Sequence, residues 1–350
     1  MPAGADREST LSALRVGESI DDDVAVVVTT SGTTGAPKGA LLTASALTAS
    51  ASATHDRLGG PGRWLLALPP HHIAGVQVLV RSLLAGTAPV EMDVSAGFDV
   101  SELPSAVDQL GAGRRYTALV AAQLAKALND PAATAALAEL DAVLIGGGPA
   151  PRPVLEAAER AGVSVVRTYG MSETAGGCVY DGIPLDGVKV RVRDDGRIVI
   201  GGPTLAKGYR NPPDPDPFTE PGWFRTDDVG VVDDSGVLSV LGRVDDAIST
   251  GGLTVSPQPV EAALRTHPAV ADCAVFGLAD ERLGQRVVAA VVVADGCTPP
   301  PLDTLRAHVM RTIDHTAAPR ELHFVDALPM RGIGKVDRSA LIRLAANNLS

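Results

Sequence analysis

The fold of this chain is decided by one polar stretch near its N-terminus, Thr29-Thr30-Ser31-Gly32-Thr33-Thr34-Gly35-Ala36-Pro37-Lys38-Gly39. The stretch follows a short β-branched run, residues 24–28, which has the composition of a buried strand, so its glycines and hydroxyls fall on the loop at the strand's end. Glycines let a backbone approach an anion, while N–H groups, hydroxyls and a lysine supply hydrogen bonds and positive charge. The stretch fits a phosphate-binding loop, and it also fits an ordinary Ser/Thr/Gly-rich turn.

The Walker A loop is not matched. Counted from Gly32, that motif needs glycine at 37 and serine or threonine at 39, where the chain has Pro37 and Gly39. Residues 30–39 instead closely resemble the phosphate loop of the adenylate-forming superfamily, with the pattern S/T-S/T-G-S/T-S/T-G-x-P-K-G; its members are acyl-CoA and aryl-CoA ligases, peptide-synthetase adenylation domains and firefly luciferases. The resemblance implies that the loop binds the phosphates of ATP through Thr30, Ser31, Gly32, Thr33, Thr34, Gly35 and Lys38.

Composition limits the classes of function. The 350 residues include 30 basic and 41 acidic side chains, and the net charge of −11 disfavours nucleic acid or an anionic membrane as the main partner. The longest apolar runs, such as residues 287–294, are too short to span a bilayer. Residues 1–10 show no secretory signal, and the three cysteines are scattered without metal-ligand spacing. We expect a cytoplasmic protein without membrane insertion.

Strand and helix patterns alternate through the first half of the chain. A short helix is compatible with residues 1–20. Helices are predicted at 43–54, 76–85, 124–128, 132–140 and 152–161, and strands at 64–68, 116–121, 142–145 and 163–167. This alternation predicts an α/β fold with a layered parallel sheet and helices on both faces. Sites in such sheets lie at the carboxyl ends of the strands. Four residues should converge on that rim: Gly32, His72, Gly147 and Tyr169.

From Gly187 the pattern changes to alternation of apolar and polar residues. A hairpin is predicted at 188–193 and 197–200, and short strands continue to 241, which suggests a small β-barrel or an open sheet. Helices at 259–265 and 302–313, with strands at 270–276 and 287–293, indicate a separate α+β domain. We expect an N-terminal domain at 1–242, with a β-rich part at about 187–242, and a small mobile C-terminal domain at 243–350.

A second motif, Tyr169-Gly170-Met171-Ser172-Glu173-Thr174, matches the superfamily's Y-G-x-S/T-E. The resemblance implies that Tyr169 stacks on adenine beside Gly170, that Glu173 holds Mg²⁺ and that Thr174 contacts phosphate. The backbone of Gly147 and Gly148 would line the adenine pocket. Taken alone, Glu173 is an exposed acid at a helix start, and the glycines form a tight turn.

Paired histidines precede the helix at 76–85. His72 takes the place of the histidine in the superfamily's P-x-F/Y-H-x-x-G, where it lies beside the acyl pocket, and His71 replaces the aromatic residue. The resemblance thus makes His72, with Ser172, a candidate for contact with the acyl substrate. On general grounds adjacent histidines are more often turn or solvent residues.

Three motifs in the second half complete the resemblance. In the motif W-F/Y-x-T-G-D-x-G, Asp228 would accept hydrogen bonds from the ribose hydroxyls. Asp227 replaces the glycine of this motif, which either strains a turn or has no effect. In G-R-x-D/K-D/E-x-I, Arg243 would contact the ribose-phosphate side and Asp245 would be the hinge between the domains. Near the end, Lys335 would reach the carboxylate and α-phosphate during adenylation, although such a lysine is ordinarily a solvated charge.

The resemblance implies an ATP-dependent acid-CoA ligase that uses Mg²⁺ and coenzyme A, with a small carboxylic acid as substrate. The early phosphate loop and the segments 69–86 and 176–180 most resemble the o-succinylbenzoate-CoA ligases of actinobacterial menaquinone biosynthesis. That acid has two carboxylates, and Arg81 is a candidate to bind the carboxylate that does not react. The alternative is that Arg81 is an ordinary arginine on the surface of its helix.

Other classes stay open at this point. They are another aryl- or acyl-CoA ligase, an adenylation enzyme that loads a carrier protein, and a non-catalytic nucleotide-binding protein. A homo-oligomer is also left open by the sequence.

Overall fold

A computed structural model describes residues 10–30, 38–331 and 335–347 of the chain. Residues 10–13 are helical. The elements that follow, up to residue 184, are β1 (Val24–Thr30), β2 (Lys38–Thr43), α1 (Ala44–Arg57), β3 (Arg63–Leu66), α2 (Ile73–Leu84), β4 (Val90–Glu91), α3 (Leu103–Gln109), β5 (Arg115–Val120), α4 (Ala121–Leu128), α5 (Pro131–Ala138), β6 (Ala142–Gly146), α6 (Arg152–Arg160), β7 (Val165–Met171), β8 (Gly176–Tyr180) and β9 (Ile183–Pro184). Two 3₁₀ turns lie at Val100–Glu102 and Ser172–Thr174.

The second half is richer in strands. Its elements are β10 (Lys189–Val192), β11 (Arg197–Gly201), β12 (Trp223–Val232), β13 (Leu238–Arg243), β14 (Ile248–Thr250), β15 (Leu253–Val255), α7 (Pro257–Leu264), β16 (Val270–Asp280), β17 (Gly284–Val293), α8 (Leu302–Val309), β18 (Glu321–Phe324), β19 (Met330–Arg331), β20 (Lys335–Val336) and α9 (Arg338–Asn347).

The large sheet has seven strands in the order β4-β3-β5-β6-β7-β8-β9. Strands β4, β3, β5, β6 and β7 are parallel, and β8 and β9 add two antiparallel strands at one edge. Successive side chains of a strand face opposite layers. Trp64 and Leu66 therefore join one core, with Tyr116, whereas Leu65 joins the other, with Val143. The predicted parallel sheet, covered on both faces, is confirmed.

The strand before the phosphate loop differs from the prediction. β1 is half-exposed along most of its length and pairs only with β2, as an antiparallel ribbon outside the large sheet. The chain returns directly into β2, and the ribbon is held by backbone bonds to a distant segment: Leu41 N–H to Gly208 O (2.9 Å) and Lys207 N–H to Leu41 O (2.9 Å). A β-branched run alone does not reveal this partner. Gly32, predicted to reach the rim, lies outside the described residues.

The two alternatives for the β-rich part are now resolved. Strands β10, β11, β12 and β13 form an open antiparallel sheet, beginning with the predicted hairpin. The C-terminal α+β unit contains a five-stranded sheet in which β16 pairs with β17 and β18 runs parallel to β17. Helices α7 and α8 pack on one face and α9 on the other. In the described part of the chain, no helix has the length and apolarity needed to cross a bilayer.

Candidate active site

The carboxyl ends of the parallel strands form the expected rim. His72 occupies the N-cap position of α2, at the end of the connection that leaves β3. Gly147, with φ of 83°, follows β6, and Tyr169 lies near the end of β7. Because β3, β6 and β7 belong to the same parallel set, these three residues share one edge of the sheet, as predicted. Gly148 is exposed at this edge.

Glu173 is held by a tyrosine that the sequence interpretation did not include. Glu173 lies in the 3₁₀ turn after β7 and is only 7% exposed. The hydroxyl of Tyr209 donates to Glu173 Oε1 over 2.6 Å. Burial, and then the charge of Glu173, raise the pKa of Tyr209, which keeps this hydroxyl a donor. Lys38 Nζ lies 5.4 Å from the centroid of the Tyr209 ring. Tyr209 thus joins the lysine of the phosphate loop to the predicted magnesium ligand.

No local pattern singles out Tyr209. It follows a glycine in the segment that pairs with β2, and its bridge partner is Ala40. An aromatic residue beside glycine is the only signal that could have suggested it. The position of Tyr209 depends on its bridge to Ala40, which is far from it in the sequence.

The phosphate loop itself is described only at its two ends. Thr30 and Lys38 lie opposite one another across the β1–β2 ribbon, so the ends of the loop are joined as in a hairpin. The five other predicted phosphate ligands, Ser31, Gly32, Thr33, Thr34 and Gly35, lie outside the described residues. Likewise, Lys335 is described as the first residue of β20, opposite Arg331, and its side chain lies outside the described part.

Thr174 occupies a structural position. It is fully buried, and its hydroxyl lies 2.9 Å from Met171 N, 3.1 Å from Met171 O and 2.8 Å from Gly176 O. These backbone contacts use its hydrogen-bonding capacity. The Thr174 hydroxyl thus closes the turn that carries Glu173, and its contact with phosphate stays a prediction. Ser172, at the start of that turn, remains half-buried.

The next residue is strained and firmly held. Ala175 has φ of 51° and is fully buried. Its carbonyl accepts hydrogen bonds from Ser50 Oγ (3.0 Å), on α1, and from Gln77 Nε2 (2.8 Å), on α2. A left-handed alanine costs about 1–2 kcal/mol and persists where its surroundings fix it. The two side chains therefore fix the turn next to Glu173.

Asp228, the predicted partner of the ribose hydroxyls, is already hydrogen-bonded. Tyr169 donates its hydroxyl to Asp228 Oδ2 over 2.7 Å, and Arg243 Nη1 lies 3.6 Å from Asp228 Oδ1. Burial, followed by the charge of Asp228, raises the pKa of Tyr169 well above its usual value. Tyr169 is thus anchored by its hydroxyl, while the prediction concerned only its ring.

Arg243 lies close to the carboxylates of three aspartates. It binds Asp245 in a bidentate pair, with distances of 2.8 and 2.9 Å, and lies 3.5 Å from Asp227. Burial alone would lower the pKa of Arg243, but the hydrogen bond and charge of Asp245, with Asp228 and Asp227, raise it. Asp245 lies in the turn between β13 and β14, where a hinge is predicted.

The replacement of glycine by Asp227 causes no backbone strain. Asp227 lies inside β12 rather than in a turn, and its carboxylate lies 3.3 Å from Arg197 Nη1. Its side chain is 54% exposed. The substitution thus adds a charge beside Arg243 without distorting the chain.

Arg81 is buried, which excludes the helix-surface alternative. It is 3% exposed, its Nη2 donates to the Tyr180 hydroxyl over 3.3 Å, and its guanidinium lies 4.9 Å above the Trp64 ring. Its Nε has no hydrogen-bond partner, and within the described ranges no carboxylate pairs with it. Burial lowers the pKa of Arg81, against a smaller opposing effect of Tyr180.

Three further residues, two of them with rings near Arg81 and one next to it in the chain, also have an unpaired buried polar atom. They are His55 (Nε2), Trp64 (Nε1) and Ser82 (Oγ). The Trp64 ring neighbours both Arg81 and His55, whose ring centroid is 6.4 Å from that of Trp64. We call these three residues and Arg81 the Arg81 cluster. Polar groups left unpaired in a core are costly, so the cluster is suited to a polar ligand.

A magnesium site fits Glu173. In residues 10–30, 38–331 and 335–347, no group of three or more His, Cys, Asp or Glu side chains could hold a metal ion. Mg²⁺ that accompanies a nucleotide is usually bound by one or two carboxylates together with phosphate oxygens and water. The single buried carboxylate beside the ends of the phosphate loop meets that requirement.

Comparisons with known proteins agree with this arrangement. Residues 5–210 match the family described as AMP-binding enzyme, and residues 259–335 match the AMP-binding enzyme C-terminal domain. A probable 2-succinylbenzoate–CoA ligase of Mycobacterium tuberculosis is 78% identical over 338 residues, which are 96% of this chain and 88% of that protein.

Solved structures give the same picture. The o-succinylbenzoate CoA synthetase (MenE) of Bacillus subtilis, in complex with the acyl-adenylate intermediate OSB-AMP, superimposes with a TM-score of 0.79 at 30% identity, covering 91% of this chain and 69% of that one. The same synthetase has been solved in complex with ATP and magnesium ion. The amide bond synthetase McbA of Marinactinospora thermotolerans superimposes with a TM-score of 0.83 at 29% identity, covering 93% and 71%.

Proposed function

The chain belongs to the family of AMP-binding enzymes, and on that premise we propose that it is a 2-succinylbenzoate–CoA ligase. It would convert the acid and ATP into an acyl-adenylate, and the acyl-adenylate and coenzyme A into a thioester. The names of its relatives support this substrate, and one feature of the chain itself carries the proposal: the guanidinium of Arg81 is buried and has no carboxylate partner among the described residues.

The first half-reaction joins an oxygen of the substrate carboxylate to the α-phosphorus of ATP. The bond from that phosphorus to its bridging oxygen breaks, and pyrophosphate leaves. Because negative charge grows on the α-phosphate, Lys38 and Lys335 would stabilise the transition state electrostatically. Further positive charge beside the phosphate oxygens would come from Mg²⁺. Glu173 would hold the ion, and Tyr209 keeps the carboxylate oriented through its 2.6 Å hydrogen bond.

The nucleoside would bind where Asp228 is already fixed. The Tyr169 ring would stack on adenine, and its bond to Asp228 keeps the ring and the carboxylate together. Because Asp228 also lies near Arg243, the ribose hydroxyls would have to share or replace these partners. Gly147 and Gly148, at the end of β6, would line the adenine side, with Gly170.

The second half-reaction joins the sulfur of coenzyme A to the acyl carbon. The bond from that carbon to the AMP oxygen breaks, AMP leaves with the electron pair, and the thiol proton is released. We propose that the domains, 1–242 and 243–350, rearrange about Asp245 between the two steps, so that Lys335 withdraws from the acyl group.

The substrate preference is argued from Arg81. Arg81 lies nine residues after His72, about 13.5 Å farther along α2 and two and a half turns on, so the two side chains leave the helix on opposite sides. The burial of the guanidinium, and not its distance from His72, therefore supports the preference. A second carboxylate on the substrate would supply the counter-charge that Arg81 lacks among the described residues.

The test compares 2-succinylbenzoate with two analogues, each lacking one of its carboxylates. With ATP, Mg²⁺ and coenzyme A, the wild type should release pyrophosphate and form a thioester with 2-succinylbenzoate in preference to either analogue. Arg81→Met should lower kcat/KM for the dicarboxylate about 100-fold, and for the analogue that keeps the reacting carboxylate only a few-fold. Equal losses for both acids would contradict the role of Arg81.

Other products would redirect the assignment. A preference for another acid would keep the chemistry and change the substrate. Acyl transfer to a carrier protein or to an amine, in place of coenzyme A, would replace the second half-reaction. Absence of pyrophosphate release with every acid would favour a non-catalytic nucleotide-binding protein.

We further propose that the reaction takes place in the cytoplasm and supplies menaquinone synthesis. All three cysteines are free, which fits a reducing compartment. Burial raises the pKa of Cys178 and of Cys273 to about 12, so neither thiol is suited to redox chemistry.

A further inference from the structure

Arg338, at the start of α9, is held by a fork of hydrogen bonds. Its Nη2 donates to Glu261 Oε1 (2.6 Å), its Nη1 to Asp246 Oδ2 (2.9 Å) and its Nε to the carbonyl of Val275 (3.0 Å). These partners come from α7, from the turn after β13 and from β16. A planar guanidinium can satisfy three such directions at once, which a lysine ammonium does not reproduce.

The main partner of Arg338 is itself fixed. Glu261 is 2% exposed, and its Oε1 also accepts the N–H of Val275 over 2.8 Å. Its other oxygen lies 3.8 Å from Arg265 Nη1. A buried carboxylate with this many partners cannot shift without breaking several bonds. Arg338 is therefore tied to a rigid point of the C-terminal unit.

The backbone next to Arg338 carries Lys335. Strand β20, Lys335–Val336, pairs with β19 in register Met330 to Val336. Asp337 then joins strand to helix: its N–H donates to Pro329 O over 2.8 Å, and its carboxylate accepts from the N–H of Ala340 over 2.9 Å. The short hairpin thus has one strongly anchored neighbour, the Arg338 end of α9.

The other end of the fork reaches the hinge region. Asp246, which binds Arg338, directly follows Asp245, which binds Arg243. Arg243 in turn lies 3.6 Å from Asp228. Two adjacent aspartates thus connect the expected ribose site with the anchor of the Lys335 hairpin. Burial raises the pKa of Asp246, and the charge of Arg338 opposes this rise. Arg338 therefore favours the ionised carboxylate of Asp246, which accepts its hydrogen bond.

We propose that Arg338 is a positioning residue for adenylation: through Asp246 and Glu261 it fixes the β19–β20 hairpin relative to the hinge, and so places Lys335 for the first half-reaction. The inference extends the proposed function and depends on it for the role of Lys335. It predicts a defect confined to adenylation, since the second half-reaction is expected to proceed with Lys335 withdrawn.

The first experiment separates the half-reactions in Arg338→Lys. This variant keeps the charge beside Asp246 and Glu261 and loses the fork. Adenylation, followed as pyrophosphate release with 2-succinylbenzoate, ATP and Mg²⁺, should fall about 10-fold or more, because small displacements of a catalytic group are costly. Thioester formation from the supplied acyl-adenylate and coenzyme A should stay within about 2-fold of the wild type.

The matched control is Arg286→Lys. Arg286 binds Glu321 over 2.7 Å and the carbonyl of Ala279 over 2.6 Å, and its side chain is 20% exposed, close to the 19% of Arg338. Arg286 lies in β17 of the same C-terminal unit, and among the described residues its hydrogen bonds go to neither the hairpin nor the hinge. Both half-reactions should be unchanged in this variant. A loss of adenylation equal to that of Arg338→Lys would overturn the proposal.

The second experiment is a double-mutant cycle with Lys335→Ala. If Arg338 acts through Lys335, adding Arg338→Lys to Lys335→Ala should cause no further loss of adenylation. Multiplication of the two effects would overturn the proposal, as would a parallel fall of both half-reactions in Arg338→Lys. If the wild type adenylates a different acid, the substrate assignment fails and the cycle is run with that acid. If it adenylates none, both proposals fail.

Discussion

Two polar regions of the N-terminal part differ in how their charges are balanced. Around Glu173 and Asp228, each acid has a neutral tyrosine donor, and Arg243 has aspartate partners. In the Arg81 cluster, a buried cation has no carboxylate among the described residues, and three neighbours have an unpaired polar atom. The first region is pre-organised, and a nucleotide must replace or share existing bonds. The second retains an electrostatic cost that an anionic ligand would relieve.

The largest effect is expected where the balanced region is broken. Glu173→Gln should lower kcat/KM for Mg·ATP about 100-fold, because a neutral amide is a poorer ligand for Mg²⁺ and loses the charge-assisted bond from Tyr209. The measurement is pyrophosphate release as a function of Mg²⁺ concentration. Glu220→Gln, which changes a half-exposed acid paired with Arg191, is the control and should keep the wild-type dependence. An unshifted Mg²⁺ dependence in Glu173→Gln would reject its role as a ligand.

The unbalanced region should show the opposite relation between stability and activity. Replacing even a buried ion pair by apolar side chains of similar volume is often neutral or stabilises a protein by about 1–4 kcal/mol, and a buried charge without a counter-charge is costlier than a pair. Arg81→Met should therefore raise the midpoint of urea unfolding while it abolishes the preference for the dicarboxylate. Arg243→Met, which leaves Asp228 and Asp245 unpaired, should not raise it. A clear loss of stability in Arg81→Met would contradict the description of Arg81 as a buried charge without a counter-charge.

The two regions also differ in how far the sequence predicted them. Tyr169, Glu173, Asp228 and Arg243 lie in short motifs, and the structure brings Asp228 together with Tyr169 and Arg243. The alternation of strands and helices predicted the parallel sheet, because the central strands β3, β5 and β6 contain short apolar runs separated by helical segments. These features are local in the chain, so that pattern and spacing are sufficient to find them.

Features that depend on distant pairing were not predictable. β1 belongs to a ribbon because its partner strand and the segment 207–211 meet it in space, and Tyr209 reaches Glu173 only through that pairing. The burial of Arg81 follows from packing α2 against β3 and β8, which the sequence of α2 does not specify. Thr174 satisfies the motif, yet its hydroxyl is enclosed by its own turn.

The boundary between the two regions gives the next test. Gln77 and Arg81 lie one turn apart on α2, and Gln77, with Ser50, holds the left-handed Ala175 beside Glu173. Gln77→Leu should raise the KM for Mg·ATP about 5-fold, because a lost hydrogen bond of about 1 kcal/mol loosens that turn. In the double variant with Gln77→Leu, Ala175→Gly should restore part of the lost affinity for Mg·ATP, since glycine adopts the left-handed conformation without strain.

Ser50→Ala should act in the same direction as Gln77→Leu, from a different helix. Thr117→Val, which removes a buried hydroxyl bonded to Leu65 O in the large sheet, should leave the KM for Mg·ATP unchanged. If glycine at 175 gives no recovery, the clamp does not act through the strained turn.

The smallest effect concerns the pH dependence of the Arg81 cluster. Burial, and then the charge of Arg81, lower the pKa of His55 below 6.5, against a smaller opposing effect of Asp56. The folded state therefore binds a proton at His55 less readily than the unfolded state does. The contribution of His55 to stability is complete above its unfolded pKa, is lost as pH falls through that pKa, and levels off below the folded pKa.

Between pH 7 and 5, the free energy of unfolding should fall less steeply in His55→Asn than in the wild type. Arg81→Met should also flatten this profile, because it removes the second cause of the shift. The decisive quantity is the difference in slope between each variant and the wild type. Identical slopes for His55→Asn and the wild type would show that His55 does not sense the uncompensated charge.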